Sequence, residues 1–320
     1  MASSKSVVLA ALFANGAIAI LKFVGFLLTG SAAMLSETYH SISDTGNQVF
    51  LLIGIRYGGR DADRRHPFGY GKAQFFYAFL VSVFLFGIAG WESAKHGYSA
   101  LTSHGGHAGG GDTVEFLFIS FQAPGFDPVL VNYAVLLAAI VFESYAFKKA
   151  YSAMKIQIEE NDWSGFREAF RKTSDVTTLT ALTEDTIALA GLVLALAGVF
   201  LEQQTGDPVY DAIAALLIGI MLMGFAVALA WENKRLILGE SLPKDEEQEL
   251  RDIVAGWEDV DEIVDFRTVY FGPERIVVSA DVAFRTGLSG TELDETITAM
   301  EDALMEANGS VRKVYVEPEV

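Results

Sequence analysis

Long apolar segments in the first three-quarters of the chain constrain its fold more than any other feature. A helix needs about 20 predominantly apolar residues to cross the hydrocarbon core of a bilayer. Six segments meet this requirement: Val7–Thr29, Ala32–Ile55, Gln74–Trp91, Pro128–Phe147, Val176–Leu201 and Tyr210–Trp231. The first is too long, and too closely followed by the second, for a cleaved signal peptide. The sequence therefore predicts an all-α, six-helix transmembrane bundle over residues 1–239.

Basic residues are concentrated in two of the links between these spans. The links are the one after span two, with Arg56, Arg60, Arg64, Arg65 and Lys72, and the one after span four, with Lys148, Lys149, Lys155, Arg167, Arg171 and Lys172. Lys- and Arg-rich loops stay in the cytoplasm. We therefore expect a multi-pass cell-membrane protein with both termini cytoplasmic. The external link SHGGHAGGGD carries His104 and His107, which either bind a metal weakly or belong to a solvated linker.

A small cytoplasmic domain of α+β class is predicted over residues 240–320. Its pattern is an amphipathic helix from Pro243, strands at Glu262–Tyr270 and Arg275–Phe284, a helix at Ser289–Ala307 with Thr291 as its cap, and a strand at Val311–Val316. The order αββαβ predicts a two-layer, ferredoxin-like domain.

Most of the acidic excess also lies in this domain. It holds 21 acidic and 7 basic residues, roughly −14 of the net charge of −18. Such a surface does not suit nucleic acid or anionic lipid as a partner. It suits a salt-rich cytoplasm, and we expect a prokaryotic source from a salt-rich habitat. The absence of cysteine excludes disulfides and thiolate metal sites.

Span two carries ionisable residues at membrane depth. His40 and Asp44 are four residues apart and share one helical face, with Glu37 and Asn47 near the same stripe. Such groups normally face the bundle interior or a water-filled cavity. Imidazole and carboxylate are good ligands for zinc and its neighbours.

Span five supplies the second set, with Glu184 and Asp185 deep in the segment and Asp175 at its start. We hypothesise a roughly tetrahedral metal site of His40, Asp44, Asp185 and Glu184, with Glu37, Asn47 and Asp175 as supporting polar groups. The alternative is a polar network that only holds helices together.

Three further polar residues in the spans are interpreted separately. Lys22 is expected to snorkel or to pair between helices, and Glu143 to pair with Lys148 or Lys149. For Asp211 the sequence leaves two roles open, a part in the metal site or a polar contact that holds helices together.

Proton exchange follows from the chemistry of such a site. Zinc binds deprotonated ligands, so metal binding displaces protons. A site that alternately faces each side and holds either metal or protons exchanges one for the other. We expect export of Zn²⁺, or of Mn²⁺, Fe²⁺, Co²⁺ or Cd²⁺, against entering protons, with no enzymatic activity and no cofactor.

Other classes of protein fit less well. An intramembrane metalloenzyme would need a His-Glu-x-x-His motif or a nucleophile beside a base, and a channel would need a filter-like segment. A non-transporting metal sensor or scaffold would need ligands in the tail, which has no His or Cys. The sensor, and an exporter selective for manganese or ferrous iron, remain alternatives.

The chain resembles the cation diffusion facilitator family of zinc transporters. The resemblance rests on GSAAMLSETYHSISDTGNQ, with the family's His-x-x-x-Asp pair at His40 and Asp44, on the inner-loop segment DADRRHPFGYGKAQ, and on the overall organisation. It implies a homodimer with a Y-shaped pair of membrane bundles joined through the tails, and a transport site with two ligands from span two and two from span five.

The sequence departs from the family pattern at three places. The usual span-five His falls on Ala181, where the resemblance to a divergent branch with a Glu-Asp pair implies Glu184 as the replacement. The inner-loop metal site keeps Asp63 and His66 but has Tyr70 in place of its second His, so a weak or missing site is expected. The tail has no histidines for a dinuclear site, so we expect dimerisation through apolar contacts.

Overall fold

The structure is a computed structural model, and it describes residues 4–102, 113–116, 119–122, 128–160, 163–172, 176–273 and 275–319. His104, His107 and Asp175 lie outside these ranges, so the predictions about them stay predictions.

Helices dominate the part of the chain before residue 240. They are α1 (Ser4–Thr29), α2 (Ala32–Gly58), α3 (Ala73–Phe84), α4 (Trp91–Thr102), α5 (Pro128–Glu160), α6 (Phe166–Lys172), α7 (Val176–Thr205) and α8 (Val209–Leu238). A π-helical stretch, Leu85–Gly90, joins α3 to α4. Two short antiparallel strands, β1 (Thr113–Phe116) and β2 (Ile119–Gln122), form a hairpin. This hairpin and α6 were not predicted.

Four of the helical segments in the described residues are long and apolar enough to cross a membrane: Ala73–Thr102, Val129–Glu160, Leu182–Thr205 and Val209–Leu238. Large apolar side chains are exposed along them, including Leu130 and Val141 on α5 and Val193 on α7, as expected of surfaces that face lipid. Helix α1 contributes a shorter apolar segment, Asn15–Thr29. Helix α2 has 27 residues but a more polar sequence. The count of six spans therefore remains a prediction.

One compact unit consists of Met1–Val49 and Val81–Ala228. Its core in the described residues contains apolar side chains from five α-helices and from the π-helical stretch, among them Phe26, Leu35, Leu136, Leu192 and Leu222. Glycines allow close helix contact: a Cβ on Gly97 would lie 2.5 Å from the amide nitrogen of Leu216. Small residues serve this purpose where membrane helices pack closely.

Helix α2 satisfies several of its hydroxyl groups within its own backbone, though the buried Ser41 hydroxyl has no hydrogen-bond partner in the described residues. Thr38 donates to the Met34 carbonyl at 2.8 Å, and Thr45 donates to the Ser41 carbonyl at 2.8 Å. Such back-bonding removes part of the cost of burying polar side chains.

The first turn of α2 is capped from another helix. Asp211 of α8 accepts a hydrogen bond from the Ala33 amide at 3.2 Å and from the Ser31 hydroxyl at 2.9 Å. The Ser31 oxygen in turn accepts from the Met34 amide. Amides at a helix start have no intrahelical partner, so Asp211 has a structural role that the sequence left open.

The second compact unit consists of Phe50–Leu80 and Leu229–Val320. Its C-terminal part contains α9 (Lys244–Ala255), β3 (Val260–Gly272), β4 (Arg275–Phe284), α10 (Gly290–Ala307) and β5 (Val311–Glu319). The sheet order is β3-β4-β5, with β4 antiparallel to β3 and parallel to β5. Leu250 and Val254 of α9 and Met300 and Leu304 of α10 pack on the sheet. The predicted order αββαβ is confirmed, and the domain boundary at residues 239 and 240 stays a prediction.

The predicted cap of the second tail helix is wrong. Ser289, not Thr291, is the N-cap of α10: its hydroxyl accepts from the Glu292 amide at 3.3 Å, and Glu292 accepts from the Ser289 amide at 2.8 Å. The prediction paired Thr291 with Asp294. Glutamate has the longer side chain that a capping box requires to reach back to the N-cap amide.

The loop between α2 and α3 packs against the β3–β4 hairpin inside the second unit. The rings of Phe68 and Phe271 are 4.6 Å apart, and the Lys72 ammonium lies 4.8 Å from the Phe271 ring centre. A Cβ on Gly71 would collide with the Phe271 carbonyl. Only glycine permits this close approach of two backbones.

Candidate metal site in the helical bundle

His40 and Asp44 form a contact pair on one face of α2. The His40 Nε2 atom lies 3.2 Å from Asp44 Oδ2, and the two side chains are 3% and 14% exposed. The other ring nitrogen, Nδ1, is buried without a hydrogen-bond partner in the described residues. The spacing of four residues thus brings the two predicted ligands together, as expected.

The distance between His40 Nε2 and Asp44 Oδ2 also suits two ligands of one metal ion. Ligand atoms bound about 2.0–2.1 Å from a tetrahedral zinc ion are roughly 3.3 Å apart. The observed 3.2 Å therefore suits a hydrogen bond and also suits two atoms that share one metal ion. Little rearrangement of α2 is needed for the pair to act as ligands.

Glu184 of α7 is connected to α2 through an amide. The Asn47 Nδ2 group donates to Glu184 Oε1 at 3.4 Å, and Glu184 lies within electrostatic range of Asp44 and His40. Asn47, predicted as a supporting group, therefore bridges the two helices.

Asp185 also belongs to this neighbourhood. Its carboxylate interacts electrostatically with Asp44 and with Glu143 of α5. Asp44 is thus the common neighbour of both acids from α7. However, no three His, Asp or Glu side chains in the described ranges come close enough to form a complete metal cluster. The predicted ligands lie in one region as an assembled pair on α2 and two separate acids on α7.

Glu143 lies near the proposed ligands, whereas the sequence predicted an ion pair with Lys148 or Lys149. Its carboxylate interacts with Lys22, Asp44, His40 and Glu37, which places it beside the proposed ligands. Its spacing from Lys148 and Lys149 suggested a local ion pair, and only the packing of α5 beside α1 and α7 reveals its actual neighbours.

Lys22 of α1 is buried and pairs between helices. Its ammonium donates to Glu37 Oε2 at 2.9 Å, with side chains 1% and 0% exposed. Of the two interpretations of Lys22, interhelical pairing is confirmed and snorkelling is wrong, because the side chain does not reach a surface.

The inner-loop residues have a different arrangement. Asp63 accepts hydrogen bonds from the amides of Arg65 and His66 and from the Tyr70 hydroxyl, the last at 2.6 Å. The Tyr70 hydrogen bond is the main reason that the pKa of Asp63 lies below its usual value. The His66 and Tyr70 rings are 4.0 Å apart. A metal at Asp63 and His66 would compete with these bonds, and the expected weak or missing site stays a prediction.

Comparisons with known proteins show to which family the chain is similar. The sequence profile of the cation efflux transmembrane domain family matches residues 8–238. The human "Proton-coupled zinc antiporter SLC30A9, mitochondrial" is 26% identical over 302 residues, which cover 92% of this chain and 50% of that protein. "Metal tolerance protein C4" of Arabidopsis thaliana is 25% identical over 285 residues, covering 88% of this chain and 57% of the relative. This chain thus spans about half the length of these relatives.

A bacterial relative is matched over more of its own length. "Cation-efflux pump FieF" of Serratia proteamaculans (strain 568) is 26% identical over 276 residues, which cover 85% of this chain and 79% of the pump. The matched family region contains all four proposed ligands and the membrane-capable helices. The chain belongs to the cation efflux family, as its resemblance to the cation diffusion facilitators predicted.

Proposed function

We propose that this chain exports divalent metal cations, zinc first among them, from the cytoplasm in exchange for protons. The observation that carries the proposal is the buried His40–Asp44 pair on α2 with Glu184 held beside it through Asn47. Buried charge in a membrane protein is costly unless a partner neutralises it. A transported cation is such a partner.

Zinc is bound in two steps in this proposal. Asp44 and His40 receive the ion first, since their facing atoms already have a suitable separation. Glu184 and Asp185 then approach from α7 and complete four-coordination. In the described ranges these four side chains do not form a complete cluster, which is why the proposal includes the second step.

Proton coupling follows from the same groups. Metal binding requires a neutral imidazole and ionised carboxylates, so an arriving ion displaces protons from them. When the site opens to the other side, protons replace the ion and reset the site. The name of the human relative, a proton-coupled zinc antiporter, supports this mechanism.

Metal preference depends on Glu184. A set of one nitrogen and three carboxylates has more oxygen donors than the His-x-x-x-Asp pairs of typical relatives, and oxygen donors favour harder ions. An exporter selective for manganese or ferrous iron is therefore the second candidate.

The arrangement in the membrane is part of the proposal. Six spans with both termini cytoplasmic follow from the basic links after α2 and α5. A homodimer follows from the family resemblance, with apolar contacts between tails that have no histidines.

The test is metal-stimulated proton flux in proteoliposomes. Full-length protein is reconstituted with a pH-sensitive dye inside, and zinc, manganese, ferrous iron, cobalt and cadmium are compared. We expect Asp44→Asn and Asp185→Asn each to reduce zinc-driven flux more than about tenfold, because each removes a charged ligand from the ion.

Glu159→Gln is the matched control, since Glu159 is 67% exposed on α5 and pairs only with Lys155 among the described side chains. Its flux should equal that of the wild type. Zinc uptake that ignores an imposed pH gradient would exclude proton exchange, and unchanged flux in both aspartate variants would exclude the site.

A further inference from the structure

The ion pair between Lys22 and Glu37 lies next to the proposed transport site. Glu37 precedes His40 by three residues and is on the same side of α2. Lys22 also interacts electrostatically with His40 and Glu143. Among the described side chains, this neighbourhood therefore contains one ammonium group together with the carboxylates of Glu37, Asp44, Glu143, Glu184 and Asp185.

Glu37 has one carboxylate oxygen with a hydrogen-bond partner and one without. Oε2 accepts from Lys22, whereas Oε1 is buried and has no hydrogen-bond partner in the described residues. A Cβ on Gly191 of α7 would lie 2.6 Å from Oε1. The glycine therefore leaves room for this carboxylate between α2 and α7.

A buried ion pair of this kind needs a reason. Removing two charges from water costs more than their attraction usually returns, and a pair of apolar side chains would often be more stable. Compared with two apolar side chains, the pair therefore contributes little to the free energy of unfolding. Its position among the proposed ligands points to an effect on the ion.

We propose that Lys22 is a built-in counter-cation that sets the affinity and selectivity of the transport site. The inference rests on the proposed function. An ammonium has three donors and no lone pair while it is charged, so it cannot bind metal. It keeps Glu37 out of the ligand set and cancels one negative charge near the ion, so that a bound divalent cation can still be released.

Loss of this charge has a specific consequence. Without Lys22, Glu37 turns toward the ion as an additional hard oxygen donor. Cation affinity rises with the number of charged ligands, and added oxygen ligands favour manganese over zinc. Lys22 is therefore a specificity-determining residue, not a ligand.

Isothermal titration calorimetry of the full-length protein with Zn²⁺ and with Mn²⁺ tests the proposal. We expect Lys22→Met to bind Zn²⁺ about tenfold more tightly than the wild type, and Mn²⁺ with a larger gain, because a nearby positive charge is lost. Lys22→Arg keeps the charge and should stay within about threefold of the wild type for both ions. Lys22→Met combined with Glu37→Gln should return to wild-type affinities.

A second variant, Lys22→Gln, keeps the proposal testable if Lys22→Met does not fold. Lys22→Gln loses the charge but retains a donor for Glu37, so it should also bind both ions more tightly than the wild type, with a smaller gain than Lys22→Met, which frees Glu37 as well. A merely structural pair would change melting temperature without changing the ratio of manganese to zinc affinity, and that result overturns the inference. A wild-type protein that binds neither ion overturns the proposed function as well, so the two failures are distinguishable.

Discussion

At the scale of single residues, the start of α10 makes a direct prediction. Ser289 and Glu292 exchange two hydrogen bonds there. Ser289→Ala removes the hydroxyl acceptor and should destabilise the tail by about 1 kcal/mol. Amide hydrogen exchange in the first turn of α10 should become faster in the full-length variant.

Thr291→Ala is the matched control, because the hydroxyl of Thr291 is not the cap. The amide hydrogen exchange of this variant should equal that of the wild type. A loss of protection equal to that of Ser289→Ala would contradict the assignment of Ser289 as the N-cap.

The stabilisation by this capping box depends on pH in a defined direction. Hydrogen bonds from Ser289 lower the pKa of Glu292 below its usual 4.5. The stabilisation is thus complete above pH 4.5 and disappears as the pH falls through the lowered value.

Local spacing predicted some residues of the site and missed others. His40 and Asp44 were predictable because a spacing of four residues within one helix brings side chains together. Lys22 and Glu143 belong to α1 and α5, and their neighbours depend on packing between helices. No local pattern encodes such contacts, so the sequence left Lys22 open between snorkelling and interhelical pairing and suggested a nearby lysine as the partner of Glu143.

At the scale of elements, the contact between α4 and α8 depends on glycine. A Cβ at Gly219 would collide with the backbone of Ala94, whereas a Cβ at Gly224 would meet nothing within 4 Å. We expect Gly219→Ala to lower stability by about 1–3 kcal/mol, because the two helices must separate. Thermal unfolding of the full-length protein in detergent measures this change.

Gly224→Ala serves as the control on the same helix. It adds the same methyl group in open space and should leave the melting temperature unchanged or raise it slightly, since alanine favours helix. Equal losses in the two variants would show that the contact with α4 does not determine the effect, because only Gly219 has that contact.

Helices and strands were predictable where a local sequence pattern indicates them. The tail strand Arg275–Phe284 has the predicted bounds, because alternation of apolar and polar residues directly reflects a half-buried strand. The π-helical stretch Leu85–Gly90 has no such signal. It is an apolar segment like those around it, and a change of helical hydrogen-bonding pattern leaves hydrophobicity unaltered.

At the scale of the whole molecule, charge is distributed very unevenly. Residues 240–320 carry roughly −14 of the net charge of −18. Acidic side chains that repel each other destabilise a compact state, and salt screens this repulsion. We expect the melting temperature of the tail in the full-length protein to rise as potassium chloride increases from about 0.05 to about 1 M, because the distance over which charges repel each other shortens over this range.

The cause can be separated from a general effect of salt by changing three exposed acids on α10. Asp294→Asn, Glu295→Gln and Asp302→Asn together remove negative charge from a surface without disturbing the core residues Met300 and Leu304. If repulsion limits stability, this triple variant melts at a higher temperature in low salt and responds less to added chloride. A wild-type tail that is equally stable at both salt concentrations would contradict the adaptation to a salt-rich cytoplasm that the composition indicates, because the acidic surface would then have no screening requirement.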